Sequence, residues 1–210
     1  MKPSSETVVI MSRRIEIMRR AAEIFAKKGF ADTALQDIAD AAGVKREALY
    51  YHFRDKAEIL FNILKPGNMA LLDGFKRIAR SEVSAKEKLR AGIAHHLAQF
   101  HPSYLEMVVA YRTMMLRQAQ FAELRKAWKE YERLWIALLA QAQKDGEIDA
   151  ALNPKVVAFS ILGMCNSLSS WYDPAGEVPL EAIADVHFRM IWSGMAAAET
   201  RRRGGKRSAK

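Results

Sequence analysis

The chain has 210 residues, half of them apolar, with 33 basic and 24 acidic side chains and a formal net charge of +9. That is enough for one compact unit, or a small domain joined to a larger one, with a real core, and it excludes an intrinsically disordered chain. A single cysteine, Cys165, excludes an intrachain disulfide and suits a reducing cytoplasm, no stretch approaches the ~20 apolar residues of a membrane span, and the N-terminus lacks a signal-peptide core.

The charge is unevenly spread. Residues 1–60 carry 11 basic and 9 acidic side chains (+2), residues 61–200 carry 16 and 15 (+1), and the last ten residues carry six basic and none acidic (+6). The segment 199–210 therefore reads as a basic disordered tail, and the overall basicity is weak evidence for nucleic acid.

In chain order, residues 1–11 read as a flexible arm. A first helix is expected from about Ser12 to Lys28, with Ile15, Met18, Ala22 and Phe25 as its apolar stripe and Gly29 as its stop. Thr33-Ala34-Leu35-Gln36 has the pattern of a capping box, in which the Thr33 hydroxyl and the Gln36 side chain open a second short helix carrying Leu35, Ile38, Ala39 and Ala42. Gly43 interrupts it, and a third short helix follows from about Lys45 to His52, with Leu49 and Phe53 apolar. Asp55-Lys56-Ala57-Glu58 looks like a further helix start. Longer helices are expected over about Lys56–Ile78, Ala85–Phe100, Ser103–Leu116, Phe121–Lys144, Pro154–Tyr172 and Pro179–Ala198, with Asn153-Pro154 as a start signal and Asp173-Pro174-Ala175-Gly176 as a break. Alternating strand patterns are absent. The expected fold is all-α, with a helix-turn-helix domain over 12–60 and a larger helical domain over 61–198.

Three short helices, the last two separated by a glycine turn, describe a helix-turn-helix. Ala39 is small where two helices must approach, Gly43 permits the turn, and Val44 and Leu49 can lock the third helix in place. The exposed face of that helix would carry Lys45, Arg46, Glu47, Tyr50, Tyr51 and His52, side chains able to meet phosphates and base edges. Phe25, Gly29, Phe30, Thr33, Ile38-Ala39, Ala42-Gly43-Val44, Leu49-Tyr50-Tyr51-His52-Phe53 and Lys56 together resemble the DNA-binding domain of the TetR family of repressors over about residues 13–60. The resemblance implies that Thr33 holds a phosphate at the start of the second helix, that Arg46 reads a base, that Tyr50 and Tyr51 meet phosphates or sugars, and that Lys56 donates to a phosphate at the start of the fourth helix. Lys45 and Glu47 depart from the family's commonest pattern, serine or threonine and a small residue; Glu47 could accept from a cytosine amine. Arg13 and Arg14 are placed either to reach a minor groove or to sit in solvent.

In the C-terminal part, Ile161-Leu162-Gly163-Met164-Cys165-Asn166, Trp171-Tyr172-Asp173-Pro174-Ala175-Gly176 and Leu180-Glu181-Ala182-Ile183-Ala184 resemble a subgroup of that family, some of whose members answer to acyl-coenzyme A thioesters. Ser167 and Ser170 stand where the subgroup often has tryptophan and arginine. From the residues alone, Met107, Tyr111 and Met115 on one helix, Trp128, Tyr131 and Trp135 on another, and Leu162 suit an adaptable apolar pocket or plain core. Arg112 and Asn166 are its polar candidates, since each needs a partner in an apolar setting. The last two helices are apolar on more than one side, which favours a homodimer formed through them. No metal site, cofactor site or catalytic constellation is recognisable. The partners expected are double-stranded operator DNA, a small, largely apolar effector and a second copy of the chain, at the nucleoid of the cytoplasm and away from membranes. Two alternatives stay open: a constitutive DNA-binding protein whose C-terminal domain only dimerises, and an all-helical enzyme.

Overall fold

The computed structural model describes residues 5–98 and 119–196, with side chains from residue 10 onward. Its elements are α1 (Ser5–Lys28), α2 (Leu35–Ala41), α3 (Arg46–His52), α4 (Lys56–Arg80), α5 (Ala85–Ala98), a 3₁₀ turn (Ala119–Phe121), α6 (Ala122–Lys144), α7 (Pro154–Asn166), a second 3₁₀ turn (Ser167–Ser170) and α8 (Leu180–Met195). Among the described residues there is no strand, only an isolated bridge between Ile148 and Ala196. The all-α expectation holds. The helix expected over Ser103–Leu116 lies outside the described residues.

Several helices start where side chains take up the free N–H groups of the first turn. Before α4, Asp55 Oδ1 accepts from Glu58 N at 2.7 Å, and Glu58 reaches back to Arg54 N at 2.9 Å. Before α5, Ser84 and Glu87 form a reciprocal box: Ser84 N donates to Glu87 Oε2 at 3.1 Å and Glu87 N to Ser84 Oγ at 3.3 Å. Asn153 Oδ1 accepts from Lys155 N and Val156 N, with Pro154 in the first turn where its missing N–H costs nothing.

Three local expectations are corrected. Residues from Ser5 are helical rather than part of a flexible arm, because no proline or glycine interrupts the chain between Ser5 and Lys28. The core stripe of α1 is Ile17, Ala21 and Phe25, while Ile15 is exposed. The cap of α2 is shifted by one residue: Asp37 Oδ2, not Gln36, closes it by accepting from Ala34 N at 2.8 Å. Gln36 donates to Asp40 Oδ1 instead.

The chain divides into two compact units. The first holds the described residues up to Asn68 together with 119–125; the second holds 69–98 and 126–196. In the first unit, Ile17, Phe25, Ile38, Leu49, Phe53 and Ile59 are buried together with Phe121 and Leu124. The Phe61 and Phe121 rings lie 6.3 Å apart and Lys65 pairs with Glu123 at 2.9 Å, so this stretch packs on the first half of α4.

In the second unit, Phe75 stacks on Trp135 with ring centroids 4.4 Å apart. Gly92 makes this possible: a Cβ there would stand 2.7 Å from the Phe75 ring and 2.9 Å from Trp135. Gly74 likewise admits the His95 ring, whose Nε2 donates to the Leu71 carbonyl at 3.1 Å. No helix among the described residues is long and apolar enough to cross a membrane.

Candidate nucleic-acid interface and buried polar cluster

The turn between α2 and α3 depends on Gly43, whose φ of +63° is costly for any residue with a Cβ. Val44 N donates to the Ala39 carbonyl at 3.0 Å, and Ala39 and Leu49 are fully buried, so α3 is seated on α2 as a helix-turn-helix requires. Seating Leu49 inward turns the opposite face of α3 outward. Lys45, Arg46, Glu47, Tyr50 and Tyr51 are all exposed, Tyr51 by 74%. Arg46 donates to the Tyr50 hydroxyl at 3.2 Å and its guanidinium lies 5.6 Å from that ring's centroid, which pre-orders a long side chain at the start of the helix. His52 is half-buried, with its ring edge-on to Tyr51. Burial first, then Arg14 and Arg13, lower its pKa, which disfavours a positive charge on this ring.

Two residues of the expected DNA contacts are used otherwise. Thr33 is only 2% exposed, and its hydroxyl donates to the Gly29 carbonyl at 2.6 Å while its N–H bonds to Phe30 O. It has no proton left for a phosphate. Lys56 Nζ donates to the carbonyls of Phe30, Ala31 and Thr33 at 2.7, 2.9 and 2.9 Å. Arg14 is also committed within the domain: it donates to the His52 carbonyl, lies 4.1 Å over the Phe53 ring and pairs with Glu58. It therefore joins α1 to α3 and α4 instead of reaching into solvent or a groove.

In the second unit, the expected pocket residues Tyr131 and Asn166 are brought together by a residue the sequence reading passed over. His96 Nδ1 lies 2.9 Å from the Tyr131 hydroxyl, and His96 Nε2 lies 3.1 Å from Asn166 Oδ1. The phenol donates to Nδ1 and the ring N–H at Nε2 donates to the amide oxygen, which satisfies a neutral imidazole at both nitrogens. Burial lowers the His96 pKa to about 4, against a raising contribution from Asn166, with His95 lowering it further. The signal was in the sequence: Leu89, Ile93, His96 and Leu97 keep helical spacing, so His96 belongs to the inner face of α5.

Trp135 and Leu162 are buried in the core of this unit, and Trp128 packs against it half-buried. Met107, Tyr111, Arg112 and Met115 lie outside the described residues. Ser167 and Ser170 bond back to local carbonyls, Met164 O at 2.8 Å and Ser167 O at 2.7 Å, which tightens the 3₁₀ turn. Among the described residues no group of histidine, cysteine or carboxylate side chains could hold a metal ion.

Both parts of the chain match known proteins. Residues 17–63 match bacterial regulatory proteins of the tetR family, and residues 82–195 match the tetracyclin repressor-like C-terminal domain. The HTH-type transcriptional repressor KstR2 of Mycolicibacterium smegmatis is 27% identical over 192 residues, covering 90% of this chain and 93% of that protein. The structure of KstR2 from Mycobacterium tuberculosis shares the fold, with a TM-score of 0.82 at 23% identity over 88% of this chain and 95% of that one. AibR in complex with isovaleryl coenzyme A and operator DNA superposes with a TM-score of 0.74 at 26% identity, over 86% and 98% of the two chains. The chain belongs to the TetR family of bacterial DNA-binding transcriptional regulators.

Proposed function

We propose that this protein is a ligand-responsive repressor that binds a palindromic operator as a homodimer and leaves it when a small effector enters the second unit. The observation that carries the reading is the outward row of Lys45, Arg46, Tyr50 and Tyr51 on a helix anchored by buried Leu49. It is the arrangement by which a recognition helix meets base edges and phosphates in a major groove. Membership of a family of transcriptional regulators sets the all-helical enzyme aside.

The dimer follows from an uncovered apolar face. Val156 and Phe159 on α7, and Val186 and Met190 on α8, are exposed at helical spacing, Phe159 by 39% and Met190 by 63%. A second copy presenting the same face would bury them in a four-helix arrangement. The effector side rests on the Tyr131–His96–Asn166 chain, a polar feature within an apolar core, and on AibR, which was solved with an acyl-coenzyme A thioester. An acyl-coenzyme A thioester is the effector class to try first, and residues 12–60 and 61–198 are the proposed DNA-binding and effector domains.

The test is direct. Genomic DNA fragments retained by the purified protein are sequenced, and binding to the recovered site is titrated with isovaleryl coenzyme A and longer acyl thioesters. One palindromic site whose occupancy falls with a thioester supports the reading. A protein that holds DNA without sequence preference, unmoved by any thioester, supports constitutive binding instead.

A further inference from the structure

We infer that Lys56, together with Thr33, serves operator binding as a positioning residue: the pair latches the α1–α2 turn to the first residue of α4, and neither acts as a phosphate ligand. Four carbonyls of one short turn are engaged by two side chains. Gly29 O accepts from the Thr33 hydroxyl, and Phe30 O, Ala31 O and Thr33 O accept from the single Lys56 ammonium at 2.7 to 2.9 Å. An ammonium has three N–H donors, and all three are spent here. The same ammonium lies 4.6 Å from the centroid of the Phe30 ring. Gly29, with φ of +83°, turns the chain at the end of α1 so that these carbonyls converge. They lie just beyond the C-terminal end of α1, whose dipole also favours a cation nearby.

The latch governs the footing of the recognition helix. α2 starts two residues after Thr33, carries Ile38 and Ala39 into the core, and receives α3 through the Val44 to Ala39 bond. A change in the 29–33 turn therefore displaces α2, and α3 with it. A phosphate could take the Lys56 charge only by stripping a carbonyl of its donor, and Thr33 is buried away from any surface.

The inference rests on α3 reading an operator, and its test separates the two. With the full-length protein and its recovered site, operator affinity is measured against salt for wild type, Lys56→Met, Lys56→Arg and Thr33→Val, and amide exchange over 29–41 is followed without DNA. Lys56→Arg keeps the charge, but a planar guanidinium does not fit three carbonyls gathered around a tetrahedral donor. The latch predicts that all three variants lose at least about tenfold in operator affinity, keep the wild-type slope of log K against log salt, and exchange faster over 29–41. A Lys56→Arg variant with wild-type affinity, together with a Lys56→Met slope shallower by about 0.9 per protomer and unchanged exchange, overturns it, because that is the signature of one lost phosphate contact. Should Lys56→Met fail to fold, Lys56→Arg and Thr33→Val decide on the same readouts. If wild type holds no operator, the operator reading fails, and exchange in the variants still judges the latch by itself.

Discussion

His96 and Tyr131 share a 2.9 Å hydrogen bond between an imidazole nitrogen and a phenol, and the ring's other nitrogen is bound to Asn166. This order holds only for a neutral ring: protonation would leave Nδ1 facing the phenol as a second donor, between two buried rings.

The first prediction is a pH dependence of stability. The His96 pKa falls from 6.5 in the unfolded chain to about 4 in the folded one, chiefly through burial. The unfolded state therefore binds the proton first as pH drops. The stabilisation is complete above pH 6.5, is lost progressively as pH falls toward 4, and amounts to about 3 kcal/mol over that window. His52 and His187 are shifted in the same direction and add to the slope. Denaturant unfolding at about pH 7, 5.5 and 4 should show most of this loss, and His96→Gln should remove about half or more of it. An unchanged slope in the variant would place the titration elsewhere.

A second prediction concerns Gly92. Alanine is the better helix former by about 1 kcal/mol, so on propensity alone Gly92→Ala should stabilise α5. Its Cβ would instead meet the Phe75 and Trp135 rings at 2.7 and 2.9 Å, and both rings are fully buried. Overpacking of this kind costs about 1–3 kcal/mol. The midpoint of thermal unfolding should fall, and the near-ultraviolet signal of the tryptophans should change. A higher midpoint would show that the rings can yield.

These cases show what the sequence could and could not carry. The α2–Gly43–α3 turn was readable because its requirements are local: a glycine at positive φ, and apolar residues before and after it. The phase of α1 was not. Apolar residues at Ile15, Ile17, Met18, Ala21, Ala22 and Phe25 support two overlapping stripes, and only tertiary packing, α2 among it, selects Ile17, Ala21 and Phe25. Tyr131 could be named as an aromatic pocket candidate and Asn166 as a polar one, but their link through His96 spans 35 and 70 residues of sequence. The convergence of carbonyls on Lys56 is likewise tertiary, and a lysine at a helix start suggests an anion until the third dimension supplies those carbonyls.

The third prediction is for the recognition helix. Arg46→Ala should weaken the recovered operator by about 1–3 kcal/mol and relax preference at one position of each half-site. Tyr50→Phe removes the hydroxyl that holds Arg46 at 3.2 Å and should give a smaller loss at the same position. Competition among operator variants with single base changes measures both. Unaltered base preference in Arg46→Ala would show that another face reads the DNA.

The fourth concerns assembly. Phe159→Glu combined with Met190→Asp puts charge on the exposed faces of α7 and α8, where like charges would oppose each other in the pair. Sedimentation should find the wild type as a dimer burying more than about 1,200 Å² and the variant as a folded monomer with much weaker operator binding. A variant that still sediments as a dimer would move the interface to another surface.

The last prediction is reciprocity between effector and operator. α4 runs unbroken from Lys56, which grips the turn beneath the recognition helices, to Arg80, and so carries the chain from one unit into the other. Pro66 stands within it, and its missing N–H leaves the Asn62 carbonyl without the bond of a regular helix. A helix weakened at one point can adopt different curvatures at little cost, and an effector that prefers one curvature while operator prefers another will oppose it. If the thioester lowers operator affinity 5- to 150-fold, a coupling of about 1–3 kcal/mol, then saturating operator must lower thioester affinity by the same factor. Pro66→Ala restores the bond and stiffens this stretch, so it should change the factor, and change it equally in both directions. Titration calorimetry of thioester with and without operator, and of operator with and without thioester, on wild type and Pro66→Ala, measures the four affinities of each protein. Thioester affinities that ignore operator would rule out release by this route, even for a protein that binds both.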